Sequence, residues 1–273
     1  MCHACVTEAV KARMLSRRDL LRTAPLALGA GALAAPLAPG TAALAQGARR
    51  AVDMTHAYGP DFPTYFGTPG IEARQAFNFA EHGFNLYELA INEHTGTHID
   101  APLHFSADGA SVDAIAVDDL VCPLRVIDIA AKAEDDPEAT LTPDDLAAHV
   151  EAHGPVPDGA VVAMHSGWAR HIGTPRFRGE EDGVQHYPGV HPEAALMLIE
   201  ETGAVGLAVD TLSLDVGSST SFETHYAWLP TGRYGIECVA NLDRVPASGA
   251  TLVVGAPKHE GGSGGPARLI ALA

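Results

Sequence analysis

The stretch from His94 to Phe105 reads H-T-G-T-H-I-D-A-P-L-H-F and sets three imidazoles and a carboxylate, at 94, 98, 100 and 104, within eleven residues. On a straight strand these even-numbered positions would share a face. Residues four apart would then lie about 13 Å from one another, too far for two imidazoles to reach one ion at about 2.0 Å. A helix would shorten the spacing, yet Gly96, its flanking threonines and Pro102 oppose one. The chain must therefore bend at Thr95-Gly96-Thr97, where glycine tolerates unusual backbone angles. That bend draws His94 and His98 onto a common centre. Two imidazoles and a carboxylate on a bent loop suit a divalent Zn, Mn or Fe ion with open coordination positions, the pattern of a catalytic site. A single histidine is more often a hydrogen-bonded structural residue, but four such groups rarely converge by chance.

One short segment seldom completes such a site. Glu237 lies in the otherwise apolar run Tyr234 to Leu242, and a buried glutamate needs a cationic partner. His225, in Glu223-Thr-His-Tyr226, and His165, at the end of the apolar run from Ala160, are further candidates. His149, His153, His171, His186 and His191 read as surface or loop residues. Phe62, Tyr65, Phe66 and Trp168 are candidates for an apolar wall against a flat substrate, or else ordinary core.

Residues 1–46 have a different character. Ser16-Arg-Arg-Asp-Leu-Leu21 is a twin-arginine pattern, followed by a weakly apolar run that ends in Ala43-Leu44-Ala45. This reads as a leader cleaved after export through the Tat machinery, placing the remainder in the periplasm or outside the cell. Prolines at 25, 36 and 39 interrupt the run, which is a poor membrane span. The chain has a net charge of −17, and the leader holds five basic residues against two acidic ones. The remainder is therefore more acidic still, which disfavours nucleic acid and anionic membrane as partners. Cys2 and Cys5 fall within the leader. Cys122 and Cys238 are expected as two buried thiols on strands rather than a disulfide.

From about residue 47 to 273 no repeat or long linker interrupts the chain, and a single layered α/β domain is expected. Strands are predicted over 51–56, 84–92, 124–130, 160–165, 205–210, 236–242, 251–256 and 268–272. Thr142-Pro-Asp-Asp145 opens a helix, and residues 192–202 form another, closed by Gly203.

The pattern H-x-G-T-H-x-D-x-P-x-H over His94 to His104 resembles the signature of the cyclase-like metal-dependent hydrolases, best known from bacterial kynurenine formamidases. The resemblance extends to Val52–His56, Ser166-Gly-Trp168, Tyr187–Val190, Asp210–Ser213 and Gly261–Leu272. It implies a swivelling β/β/α domain that forms homodimers or homotetramers and holds one or two Zn2+ or Mn2+ ions per subunit. His94, His98 and Asp100 would hold one ion. His225 and Glu237, twelve residues apart as in the family, would complete the set, with Asp100 and Glu237 bridging. His104 would stay unligated and transfer protons, a fourth-ligand role being the alternative. The implied activity is hydrolysis of an arylformamide, lactam or lactone by an activated water. The export leader and an insertion-like segment from His171 to Gln185 depart from the formamidase pattern. Ring-opening of the isatin or dienelactone type, and metal or ligand binding without turnover, are the other readings.

Overall fold

The computed structural model describes residues 50–273, so the predicted leader lies outside the described residues. Two compact units emerge. The described part of one is Ala73–Leu89, and that of the other is residues 50–72 with Ala90–Ala273. In chain order the strands are β1 Ala51–Asp53, β2 Ile71–Phe77, β3 Leu86–Ile91, β4 His98–Asp100, β5 Val121–Asp128, β6 Thr140–Leu141 and β7 Val161–His165. They continue with β8 Gly189–Val190, β9 Gly206–Val209, β10 Tyr234–Glu237, β11 Ala250–Gly255, β12 Gly264–Pro266 and β13 Arg268–Leu272. The helices are α1 Phe79–His82, α2 Ala130–Asp135, α3 Pro143–His153, α4 Pro192–Glu201 and α5 Glu223–Trp228. The described part of the first unit holds most of the β2 and β3 hairpin, with the short α1 between the strands.

The second unit is a mixed α/β fold on a nine-stranded sheet, ordered β1-β13-β11-β5-β7-β9-β10-β4-β12. Its centre, β5-β7-β9-β10, is parallel, and antiparallel strands flank it on both sides. Strands β7, β9 and β10 are buried nearly end to end, as expected of parallel strands covered on both faces. Alternation splits their side chains between two apolar layers. Val161, Ala163, Ala208 and Ile236 pack in one, with Ile99 of β4. Val162, Met164, Leu207 and Val209 pack in the other, beneath Leu146 of α3, Leu198 of α4 and Trp228 of α5. The period of two then puts Gly235, Glu237, His98 and Asp100 on the helix-covered face.

Local chemistry accounts for most boundaries. Thr142 and Asp145 form a reciprocal capping box with Pro143 at the first helical position. The last turn of α4 ends at Thr202, whose backbone is extended, so the predicted closure by Gly203 gives way to an earlier stop. The predicted strand 236–242 ends at Glu237, because Cys238 and Asn241 adopt left-handed conformations with φ of 54° and 55°. Cys122 and Cys238 are buried free thiols.

Glycine sets how closely β12 approaches the bent loop. A Cβ on Gly264 would lie 2.4 Å from the Ile99 carbonyl oxygen and 2.8 Å from His94 Cε1. Gly264→Ala should therefore destabilise the protein by about 1–3 kcal/mol through overpacking. Gly59→Ala, at a position with nothing within 4 Å, should stay within about 0.5 kcal/mol of wild type. Urea unfolding of the two variants checks the contrast.

Candidate metal centre

The bend inferred from the sequence is present at Gly96, whose φ is 69°. The turn lets His98 Nδ1 approach the Gly96 carbonyl at 2.9 Å, and Thr97 Oγ1 donates to the Cys238 carbonyl at 2.6 Å. These bonds dock the loop onto the end of β10. The sheet register then sets His98 opposite Glu237 and Asp100 opposite Gly235. On its other side Asp100 faces Gly264. A carboxylate flanked by glycines on both neighbouring strands has room around it that any other residue would fill. A Cβ at Gly235 would lie 3.0 Å from Asp100 Oδ2.

Around this space the structure gathers His94, His98, Asp100, His104, His225 and Glu237. His98 Nε2 lies 3.4 Å from Asp100 Oδ1 and 3.3 Å from Glu237 Oε2. His225 Nε2 lies 3.2 Å from Glu237 Oε1 and 3.8 Å from Asp100 Oδ2. His94 Nδ1 is 2.7 Å from Asp100 Oδ1. The ligand atoms of His98, Asp100 and Glu237 lie within 4.8 Å of one another, and so do those of His94, Asp100 and His104. Asp100 belongs to both groups. His104 stacks on His94, with ring centroids 3.8 Å apart. His165 is elsewhere, its Nδ1 3.4 Å from Asp128.

Two of the imidazoles are held through the nitrogen that faces away from the centre. His98 does so through Gly96. His225 does so through Asp215, whose carboxylate lies 2.5 Å from Nδ1 and accepts the Thr224 and His225 backbone N–H groups at 2.7 and 3.2 Å. Asp215 thus orients the ring and satisfies the start of α5 together. Sequence reasoning did not single it out. A carboxylate inside the apolar run Leu212 to Val216 was the available signal.

The electrostatics are those of a cation site. Asp100 is wholly buried and Glu237 nearly so, and no Lys or Arg pairs with either among the described residues. Burial alone would raise both carboxyls, but the surrounding imidazoles outweigh it. Those imidazoles hold Asp100 well below the usual carboxylate range and Glu237 below it too. The reciprocal effect lifts His98 against its own burial, through Asp100 and Glu237, to about 10. His225 is likewise raised against burial, by Asp100, Asp215 and Glu237. His104 goes the other way. Burial, opposed in part by Asp100, brings it down to about 4.

Two buried polar atoms inside the cluster, His98 Nε2 and Asp100 Oδ2, have no hydrogen-bond partner. Orphaned donors and acceptors in a dry site are costly. A divalent cation between these imidazoles and carboxylates would satisfy them, so the donor set fits such an ion.

A cavity of about 200 Å³ opens onto the cluster. Its walls include Tyr65, Phe66, Phe105, Leu212 and Phe222. The Tyr65 and Phe222 rings are 5.8 Å apart, and Phe105 is 5.6 Å from Phe222 and 4.5 Å from His225. Of the aromatic wall predicted from sequence, Tyr65 and Phe66 are there. Phe62 and Trp168 are not; they are buried with Phe177 and Tyr187 in a core cluster. Their places are taken by Phe105 and Phe222, which sequence reasoning missed. The insertion-like segment reaches this wall, since Arg178 Nη1 and Gln185 Nε2 donate to the Tyr65 carbonyl at 2.9 and 2.7 Å.

Comparison with known proteins agrees with this geometry. A model of the Cyclase family matches residues 52–216. An isatin hydrolase of Roseibium aggregatum is 30% identical over 250 residues, spanning 85% of this chain and 94% of that one. A kynurenine formamidase of Salinibacter ruber is 26% identical over 193 residues, spanning 71% of this chain and 82% of its own. Among solved structures, isatin hydrolase A from Ralstonia solanacearum superposes with a TM-score of 0.79 at 34% identity, covering 88% of this chain and all of that one (100%). The bent histidine loop, the sheet that supports it and these likenesses place the chain in the Cyclase family.

Proposed function

We propose that this chain is a divalent-metal-dependent hydrolase that opens a small cyclic amide of the isatin type, with arylformamides and lactones as the next candidate substrates. The observation that carries this reading is the pair of orphaned atoms, His98 Nε2 and Asp100 Oδ2, among buried carboxylates at the floor of an aromatic cavity. The share of this chain spanned by the isatin hydrolase relative, larger than that spanned by the kynurenine formamidase, supports the cyclic amide as first choice.

His94, His98, Asp100, His225 and Glu237 would hold one or two Zn2+ or Mn2+ ions, with Asp100 within 3.8 Å of all three imidazoles. Such an ion supplies Lewis acidity, lowering the pKa of a water from 15.7 to about 7 and polarising a carbonyl oxygen. The chain supplies the rest. The rings of Tyr65, Phe105 and Phe222 hold a flat substrate and turn its carbonyl toward the polar floor. His104, kept neutral at pH 7 by burial, accepts a proton from the attacking water and passes it to the leaving nitrogen.

The arrangement of sheet and helices supports the swivelling β/β/α description of the fold. We also propose assembly into a homodimer or homotetramer. The β2–β3 hairpin supports it, since it exposes Phe79, Leu86, Tyr87 and Leu89 and a two-stranded hairpin is marginally stable alone. Export by the Tat route to the periplasm rests on the sequence of residues 16–45. Among the described residues, no helix is long and apolar enough to cross a membrane.

Three outcomes test the reading. Metal analysis of the protein, followed by a screen of isatin, N-formylkynurenine and simple lactones, should find a bound divalent ion and ring opening of isatin. Bound metal without turnover of any of these compounds would leave a binding protein instead. His98→Ala and Asp100→Ala should each lose both bound metal and turnover. His104→Ala should keep its metal while kcat falls about 10²–10⁴-fold, and loss of metal in that variant would make His104 a ligand.

A further inference from the structure

Ser263, in the Gly261-Gly-Ser-Gly-Gly265 run, has no role in the site as described so far, yet it touches His94. Ser263 Oγ lies 3.1 Å from His94 Nε2 and donates to Glu93 Oε2 at 2.6 Å. The Ser263 backbone N–H donates to the same Glu93 oxygen at 3.1 Å. The other Glu93 oxygen lies 2.6 Å from His259 Nε2. The glycines shape this arrangement. A Cβ on Gly262 would lie 2.1 Å from His259 Nε2 and 2.6 Å from Glu93 Oε1, and one on Gly264 would strike the His94 ring. Backbone bonds from Ala101 to the Ser263 carbonyl and from Val112 to the Gly262 carbonyl, both 2.9 Å, fix the run in place.

A serine hydroxyl has one proton. Ser263 gives that proton to Glu93, so toward His94 its oxygen can only accept. His94 must therefore carry a proton on Nε2, and its Nδ1, 2.7 Å from Asp100 Oδ1, meets that carboxylate through a second proton or, once that proton is displaced, through a cation. The Nε2 proton thus leaves Nδ1 as the nitrogen available to a cation beside Asp100. A metal-ligating histidine is ordinarily held this way, its second nitrogen donating to an oxygen that fixes tautomer and ring angle.

We infer that Ser263, held by Glu93, is a positioning residue that locks the His94 proton on Nε2 and presents Nδ1 to the cation. The inference rests on the metal-site reading above, and its tests separate the two. Zn2+ and Mn2+ dissociation constants, measured by chelator competition on the metal-stripped full chain, should be about 10–100-fold weaker for Ser263→Ala than for wild type. Ser263→Thr, which keeps the hydroxyl, should restore the affinity. A wild-type protein that binds neither ion would overturn the metal reading itself. A wild type that binds, matched by an equally tight Ser263→Ala, would overturn the positioning role alone. A second measurement needs no variant. In zinc-loaded wild-type protein, histidine ring ¹H–¹⁵N correlation spectra should show His94 protonated at Nε2 and coordinated through Nδ1, and coordination through Nε2 would sink the inference.

Discussion

Two carboxylates buried side by side, Asp100 and Glu237, are the constraint to which the rest of this architecture answers. They approach the same two imidazoles from adjacent strands, and no Lys or Arg pairs with either among the described residues. In a dry interior such a pair is strongly unfavourable unless positive charge is supplied. The chain itself supplies only histidines, and the same carboxylates drive His98 and His225 toward protonation. A divalent cation, as proposed above, would remove that conflict. The stability of the centre and its chemistry are thus one electrostatic problem.

The fold solves the placement of these groups by dividing labour between kinds of strand. Glu237 ends β10, at the carboxyl edge of the parallel core, where α/β sheets ordinarily collect their ligands. His98 and Asp100 come from β4, which runs antiparallel to it, so that groups 137 and 139 residues away in sequence meet across two ladder positions. His225 arrives from above on α5, held by Asp215. Elements from four parts of the chain therefore fix one site, and rigid strands rather than loops carry the carboxylates. The aromatic wall is drawn from loops instead, which are freer to vary without disturbing the ligand cage.

Glycine has a consistent role here. Gly96 permits the bend, Gly235 and Gly264 clear space on either side of Asp100, and Gly262 and Gly264 let the closing run approach Glu93 and His94. The oriented imidazoles depend on these absences as much as on their hydrogen bonds. Each of the nitrogens on His94, His98 and His225 that faces away from the centre meets an oxygen.

The sequence by itself determined that residues 94–104 must bend and that a buried Glu237 needs a partner, because the periodicity of strands, the reach of an imidazole and the cost of a buried charge are local or universal. It also marked the helix start at Thr142 and the strands over 124–130, 160–165 and 205–210. Tertiary structure alone decided that Phe62 and Trp168 enter the core while Phe105 and Phe222 line the cavity. All four are large aromatic residues near turn signals, and burial depends on which distant segments pack over them. The same holds for Asp215 and Ser263, whose importance comes from contacts with His225 and His94 across 10 and 169 residues. A hydrogen bond of that kind leaves no periodic trace in the chain, since only the folded register brings its partners together.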